Sequence, residues 1–184
     1  MGENNNALGS REERGQNTKM LVINALFIAL TFVVTMFINV RLPIVGNGGL
    51  IHLGNVPLFL GAFVFGKKTG AIAGGFGMGL FDLFSGWTAW APFTFVIVGA
   101  MGWVSGLIAE KWDTKPAVKY IVAIVVACII KIVGYYFAEV FLYHNWIVPF
   151  GSIPGNIIQV MLAGIIVLPF APRLADIVRK MGIK

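Results

Sequence analysis

Apolar segments recur along nearly the whole chain, and several are as long as a membrane-spanning helix. Residues 20–38 contain no charged side chain, and a helix needs about 20 apolar residues to cross the hydrocarbon core of a bilayer. Across the chain, 58% of the residues are hydrophobic and 12% are charged, whereas a soluble domain has about 25% charged residues. The chain is therefore predicted to be an integral, multi-pass protein of the cell membrane.

Turns rich in glycine, proline, asparagine or charge separate the apolar segments. This pattern predicts an all-α fold in which six transmembrane helices form one bundle. The predicted spans cover residues 20–38, 50–65, 70–84, 92–109, 120–143 and 153–177. Residues 1–18 contain no apolar run and are predicted to be a disordered or non-native tail. Residues 19–184 are predicted to form a single transmembrane domain.

The basic residues predict which side of the membrane each turn occupies, because short loops rich in Lys and Arg stay on the cytoplasmic side. Of the 14 Lys and Arg residues, 12 lie before span one, between spans two and three, between spans four and five, or at and after the end of span six. Both termini are therefore predicted to be cytoplasmic. This topology also accounts for the net charge of +6, so no nucleic-acid partner is expected.

No motif in the chain carries recognisable chemistry. The run from Gly61 to Lys68 resembles a nucleotide-binding phosphate loop, but Lys68 occupies the position where a magnesium-binding hydroxyl is required. The single cysteine, Cys128, cannot form an internal disulfide or a two-cysteine metal site. We therefore expect no enzymatic activity, no cofactor and no metal, and the energy for any transport must come from a partner or a gradient.

Pairs of small residues four positions apart occur in several spans, and such pairs let helix backbones approach closely. Most of them, such as Gly102 and Gly106, are expected to pack inside the bundle. Ala25 and Ala29 differ, because the rest of span one carries bulky side chains and this pair forms its one smooth groove. The groove is the candidate contact with an external partner.

Polar side chains inside a membrane are costly, so they are expected to pair with each other or to face a cavity. Lys131, Tyr135 and Glu139 follow one stripe of span five at intervals of four residues. Asn156 and Gln159 share a face of span six. An ion pair of Lys131 with Glu139 or Asp82 could merely staple two helices, whereas a hydrated pocket for a small polar ring also accounts for the amides and the aromatic residues. The predicted topology places several further candidates at the same level: His52, Asn55, Asp82, Trp87 and Trp90.

Five sequence segments occur in a specific order and spacing. They are residues 19–29 (KMLVINALFIA), 51–55 (IHLGN), 65–71 (FGKKTGA), 82–87 (DLFSGW) and 91–95 (APFTF). Together they resemble the substrate-binding S components of energy-coupling factor (ECF) vitamin transporters, over about residues 19–182. Within that family the chain is most similar to the branch assigned to hydroxymethylpyrimidine or pyridoxine, which is related to the riboflavin-type S components.

The resemblance implies a six-helix binding subunit whose pocket is closed from outside by the loop between helices one and two. It implies assembly with a transmembrane T component and two cytoplasmic ATPases, with Ala25 and Ala29 docking on the T component. Hydroxymethylpyrimidine, pyridoxine and even a riboflavin-like ring would suit a pocket with stacking surfaces and amides. The family pattern at the start of helix two often reads His-Leu-Gly-Asp, and Asn55 in this chain argues against an acid role there.

Two other classes of membrane protein account for part of the sequence. In a stand-alone secondary transporter or channel, Lys131, Glu139 and Asp82 would form an ion or proton relay, but the chain has no obvious inverted repeat. A purely structural membrane subunit would leave the polar cluster unexplained. Co-purifying ATPases and a stoichiometric bound vitamin would favour an S component, whereas ion-dependent uptake by the chain alone would favour a carrier.

Overall fold

The computed structural model describes residues 2–41 and 50–183, with side chains described for residues 13–40 and 50–183. This part of the chain is mostly helical and contains one short antiparallel β-hairpin. The strands are β1 (Asn39–Arg41) and β2 (Leu50–His52). The helices are α1 (Gly2–Phe37), α2 (Asn55–Leu60), α3 (Lys67–Phe84), α4 (Ala91–Lys111), α5 (Pro116–Tyr143), α6 (Ile153–Val167) and α7 (Ala171–Lys180).

Helix α1 contains the first apolar segment and extends beyond it toward the N-terminus. It begins at Gly2, so it includes residues that the sequence assigns to a tail. Gln16 Nε2 donates a hydrogen bond to the carbonyl oxygen of Gly182 at 3.1 Å, which brings the two ends of the chain together. The division into a tail of residues 1–18 and a domain of residues 19–184 stays a prediction.

The β-hairpin follows α1 directly. Asn39 Nδ2 ends α1 by donating hydrogen bonds to the carbonyl oxygens of Thr35 and Met36, at 3.0 and 2.7 Å. Residues 42–49 belong to the loop that the resemblance places over the pocket, and they lie outside the described residues. The paired residues are Asn39 with His52, Val40 with Ile51, and Arg41 with Leu50.

The second apolar segment is interrupted where its polar residues lie. It starts as strand β2, becomes helix α2 at Asn55 and continues as a π-helical turn over Gly61–Phe65. Pro57 lies in the first turn of α2, where its missing backbone N–H disrupts no helical hydrogen bond. Gly66 has a φ of 102°, a backbone angle that residues other than glycine rarely adopt, and this conformation lets the chain turn into α3.

Helices α3 and α4 pack backbone against backbone along their glycines. A Cβ atom on Gly102 would collide with the carbonyl oxygen of Gly70, and one on Gly106 would collide with the backbone of Lys67. At the same end of the pair, Lys67 Nζ lies 3.2 Å from Glu110 Oε2. The small-residue pairs of these helices therefore serve internal packing, as the sequence predicts.

The sixth apolar segment is not one helix, and the prediction of a single span over residues 153–177 is wrong in this respect. Helix α6 ends at Val167, and α7 begins at Ala171 after a three-residue turn. Pro169 and Pro172 explain the break, because proline has no backbone N–H to donate and its ring disfavours a helical residue before it.

Within residues 2–41 and 50–183, four helical segments are long and apolar enough to cross a membrane, judged by length and composition. The helical segment Asn55–Phe65 is apolar but shorter, and α3 contains three charged residues. Large apolar side chains such as Leu21 and Phe37 are exposed on the outside of the bundle, where lipid would cover them. The chain is therefore a multi-pass membrane protein. The four segments are Glu13–Phe37, Ala91–Lys111, Pro116–Tyr143 and Val148–Val167.

Candidate functional site

A cavity of about 100 Å³ lies at one end of the helical bundle. Its walls come from the C-terminal parts of α3 and α5 and the N-terminal parts of α4 and α6. Strand β2 and a short 3-10 turn, Val148–Ser152, complete it. Consecutive helices contribute opposite ends to the same cavity, so they run antiparallel through the bundle.

Nine of the ten side chains that the sequence predicts to bind a substrate line this cavity. They come from positions up to 107 residues apart, between His52 and Gln159, so only the fold brings them together. Their role in binding stays a prediction. The nine are His52, Asp82, Trp87, Trp90, Lys131, Tyr135, Glu139, Asn156 and Gln159.

Asn55 is the predicted residue that does not line the cavity. It lies in the first turn of α2 and is fully buried. Neither of its amide atoms, Oδ1 or Nδ2, has a hydrogen-bond partner among the described residues. Asn55 is therefore buried but does not belong to the lining of the cavity.

Lys131 lies near the middle of α5 and is only 2% exposed. Its Nζ donates a hydrogen bond to Gln159 Oε1 at 2.7 Å, and Gln159 Nε2 donates to the carbonyl oxygen of Leu50 at 2.6 Å. Among the described side chains, no carboxylate lies within ion-pair distance of Lys131. The hydrogen-bond partner of Lys131 is therefore the amide of Gln159. Among the described side chains, Lys131 forms neither of the ion pairs, with Glu139 or with Asp82, that would hold two helices together.

Two further polar contacts fix the orientation of cavity side chains. Ser152 Oγ donates a hydrogen bond to Glu139 Oε2 at 2.5 Å, and Thr94 Oγ1 lies 2.9 Å from the hydroxyl of Tyr135. The sequence did not single out Ser152 or Thr94 as site residues, because isolated hydroxyls carry no spacing signal. Thr94 does lie in one of the segments that carry the family resemblance.

Aromatic rings form another wall of the cavity. Trp87 and Trp90 meet edge to face with ring centres 5.3 Å apart, and Trp90 meets Tyr143 at 6.0 Å. On the hairpin side, His52 Nδ1 accepts a hydrogen bond from the backbone N–H of Gly54 at 3.2 Å. The neutral imidazole therefore carries its proton on Nε2. The cavity combines flat apolar surfaces with an ammonium, two carboxyl groups and two amides, which suits a flat ring with polar substituents.

Ala25 and Ala29 lie on the outer surface of the bundle, in an apolar groove between α1 and α3. The groove shares no lining residue with the cavity. Its residues are Ala25, Ile28, Ala29, Phe32, Val33, Leu80 and Phe84.

The fold and the cavity together define a helical membrane protein that encloses a small cavity of mixed polar and aromatic character. A profile of the family described as "ECF-type riboflavin transporter, S component" matches residues 15–176. The chain therefore belongs to this family of S components, as the resemblance in its sequence indicates. Its role is in transport.

Known proteins similar to the chain agree with this assignment. The thiamine precursor transporter HmpT of Lactococcus lactis subsp. cremoris (strain MG1363) is 30% identical over 169 residues, which cover 91% of this chain and 92% of that protein. An uncharacterized protein in gap 3'region of Pyrococcus woesei is 34% identical over 99 residues, 52% of this chain and 63% of that protein. A solved structure described as "Structure and mechanism of the S component of a bacterial ECF transporter" superposes with a TM-score of 0.68 at 25% identity, covering 88% of this chain and 98% of the other.

Proposed function

We propose that this protein is the binding subunit through which an ECF-type transporter takes up hydroxymethylpyrimidine, a thiamine precursor. The observation that carries the proposal is the small cavity, lined by both aromatic and polar side chains. The similarity to HmpT, named as a thiamine precursor transporter, supports the choice of substrate. Pyridoxine, a hydroxylated ring of similar size, is the second candidate.

The size of the cavity supports a ligand with one ring. Its volume is about 100 Å³, somewhat below the cavity of about 150 Å³ that holds benzene in another protein, so even a one-ring ligand requires a small adjustment of the lining side chains. A flavin has three fused rings and a polyol chain, so it would require the lining helices to move apart. The cavity therefore favours hydroxymethylpyrimidine or pyridoxine over a riboflavin-like ligand.

The polar groups of the cavity match the substituents of an aminopyrimidine. Asp82 and Glu139 can accept hydrogen bonds from the amino and hydroxymethyl groups, and Lys131 can donate to a ring nitrogen. Trp90 and Tyr135 offer flat surfaces to the ring faces. The ligand is neutral, so it needs no dedicated counter-charge, and hydrogen bonds to the charged side chains orient it.

The proposed topology has six membrane-crossing segments, formed by α1, α2 with its π-helical turn, α3, α4, α5 and α6. Both termini are cytoplasmic, and the cavity faces the extracytoplasmic side. The distribution of basic residues supports this orientation. The hydrogen bond between Gln16 and Gly182 supports a common side for the two chain ends.

The proposed complex contains a transmembrane T component and two cytoplasmic ATPases. The chain itself contributes binding rather than catalysis, and the groove around Ala25 and Ala29 is the proposed contact with the T component. Its exposed, apolar and shallow surface suits a second transmembrane helix, because small residues let helix backbones approach closely.

Ligand binding by the purified protein tests the proposal. Native mass spectrometry would identify any co-purified ligand, and titration calorimetry would compare hydroxymethylpyrimidine, pyridoxine and riboflavin. We expect hydroxymethylpyrimidine to bind tightest, and Asp82→Asn to weaken it while the exposed control Asp113→Asn has no effect. Tightest binding of riboflavin would overturn the proposed substrate. Binding of none of the three would overturn the proposed function.

A further inference from the structure

Helix α7 carries an exposed apolar stripe that follows directly after the last membrane-spanning segment. Phe170, Leu174, Ile177 and Met181 are spaced by four, three and four residues, so they share one face of the helix. Their exposed fractions lie between 40% and 65%. A stripe of this kind is unfavourable in water, which indicates that another apolar phase covers it.

The other faces of α7 differ from this stripe. Ala171 is fully buried where α7 packs against the π-helical turn Gly61–Phe65. Arg173, Arg179 and Lys180 are exposed on the remaining face. The helix therefore presents a packed face, an apolar face and a basic face, the arrangement of a helix that lies in a membrane interface.

Asp176 organises part of the basic face. Its carboxylate oxygens lie 2.7 Å from Arg179 Nη2 and 2.7 Å from Lys180 Nζ. Hydrogen bonds from Lys180 and Arg179 lower the pKa of this carboxyl below its ordinary value, so it remains ionised at neutral pH. With Arg173 included, the four ionised side chains, three cations and one carboxylate, carry a net charge of +2.

The position of α7 in the bundle coincides with a membrane interface. It lies at the end opposite the cavity, where α4 ends and α5 begins. Trp112, just after α4, is 46% exposed, and tryptophan is enriched at the level of lipid headgroups. Lys119 Nζ donates a hydrogen bond to the carbonyl oxygen of Ala109 at 2.7 Å at this end.

We propose that α7 lies flat in the leaflet opposite the cavity and binds anionic phospholipids. Phe170, Leu174, Ile177 and Met181 insert among the acyl chains, and the basic face contacts negatively charged headgroups. Charge complementarity selects lipid as the occupant, because basic residues beside an apolar stripe match an anionic bilayer surface. The three-residue turn after α6 also keeps α7 at the depth where that span leaves the membrane.

Fluorescence quenching tests the placement of the stripe. In a Cys128→Ala background, an environment-sensitive dye is attached to Leu174→Cys, Ile177→Cys or Lys180→Cys, and the protein is placed in vesicles of phosphatidylcholine and phosphatidylglycerol. We expect lipids with a quencher on the acyl chain to quench the dye at 174 and 177 more strongly than at 180. Equal quenching at the three positions would overturn the proposal. It would also be overturned if the dye at 174 stayed water-exposed in vesicles and became protected only after partner proteins were added.

A charge variant tests the lipid preference separately. We expect Arg173→Gln to reduce the preference for phosphatidylglycerol over phosphatidylcholine by up to about fivefold, which corresponds to ~1 kcal/mol per basic residue at an anionic surface. Arg173→Lys is the matched control and should keep the preference. Lipid retention is measured by native mass spectrometry, and unchanged ligand affinity shows that each variant is folded. An unchanged lipid preference in Arg173→Gln would contradict the proposed headgroup contact.

Discussion

Lys131 Nζ and Gln159 Oε1 lie 2.7 Å apart and join α5 to α6 in the wall of the cavity. Gln159 also binds the carbonyl oxygen of Leu50 through its Nε2, so both ends of its amide have partners in the protein. Lys131 has three N–H donors and uses one of them on Gln159. A ligand that reaches this pair can therefore accept a hydrogen bond from a remaining N–H of Lys131 or from the second N–H of the Gln159 amide.

This arrangement predicts different effects for alanine substitutions of the two amide residues. We expect Asn156→Ala to reduce ligand affinity by about 0.5–1.5 kcal/mol, the usual value of a neutral hydrogen bond. Gln159→Ala should instead mainly lower the free energy of unfolding, by about 1–3 kcal/mol, because it leaves the buried ammonium of Lys131 without its acceptor. Titration calorimetry and thermal unfolding measure both. Equal, unchanged affinities would place the ligand away from α6.

Glu139→Gln distinguishes a binding role for this carboxylate from a structural one. The amide oxygen of glutamine can still accept the hydrogen bond from Ser152, so the local fold is kept. Loss of a charge-assisted hydrogen bond to the ligand should cost about 1.5–3 kcal/mol of affinity, measured by calorimetry. Glu13→Gln, an exposed position on α1, is the control. A lower unfolding temperature with unchanged affinity would assign Glu139 a purely structural role.

The outer groove gives a prediction about assembly. We expect Ala25→Trp or Ala29→Trp to weaken co-purification with the T component and the ATPases, because a large side chain prevents close approach of a partner helix. Ligand affinity should stay near the wild-type value, since the groove and the cavity share no lining residue. Leu26→Trp, at an exposed site outside the groove, is the matched control. Loss of ligand binding together with assembly would argue against a docking role.

Cysteine accessibility tests the proposed topology. In a Cys128→Ala background, single cysteines replace Gly15, Lys180 or Thr88, all of which are exposed. An impermeant thiol reagent added to intact cells should label position 88 and leave positions 15 and 180 unlabelled until the cells are opened. The reverse labelling pattern would show that the protein has the opposite orientation in the membrane.

The apolar segments could be predicted well from the sequence, and their breaks less well. Spans four and five correspond to α4 and α5 within a few residues, because a helix satisfies the backbone hydrogen bonds of a long, predominantly apolar segment within the segment itself. The segment 153–177 was harder, since large apolar residues continue past Pro169 and Pro172 as Phe170, Leu174 and Ile177. Proline chemistry, rather than hydropathy, decides where this segment breaks.

The residues of the candidate site could also be predicted from the sequence better than their contacts. Lys131, Glu139 and Gln159 are conspicuous because charged and amide side chains are costly in lipid, and all three line the cavity. Their partners were not predictable, since Gln159 rather than a carboxylate accepts from Lys131, and Ser152 holds Glu139. Asn55 is also a polar residue in an apolar segment, but it does not line the cavity. Sequence spacing does not encode which neighbouring helix a side chain meets.

In the part of the chain that the structure describes, the hairpin that borders the cavity contains three paired residues on each strand. A two-stranded hairpin of this size has little stability of its own, and Gln159 ties it to the helices through the Leu50 carbonyl. We expect the hairpin to open faster than any helix can separate, so ligand would enter and leave along its edge. A weaker hydrogen bond between Gln159 and the Leu50 carbonyl should then increase the rates of ligand association and dissociation together. The residence time of the ligand would change while its equilibrium affinity stays the same.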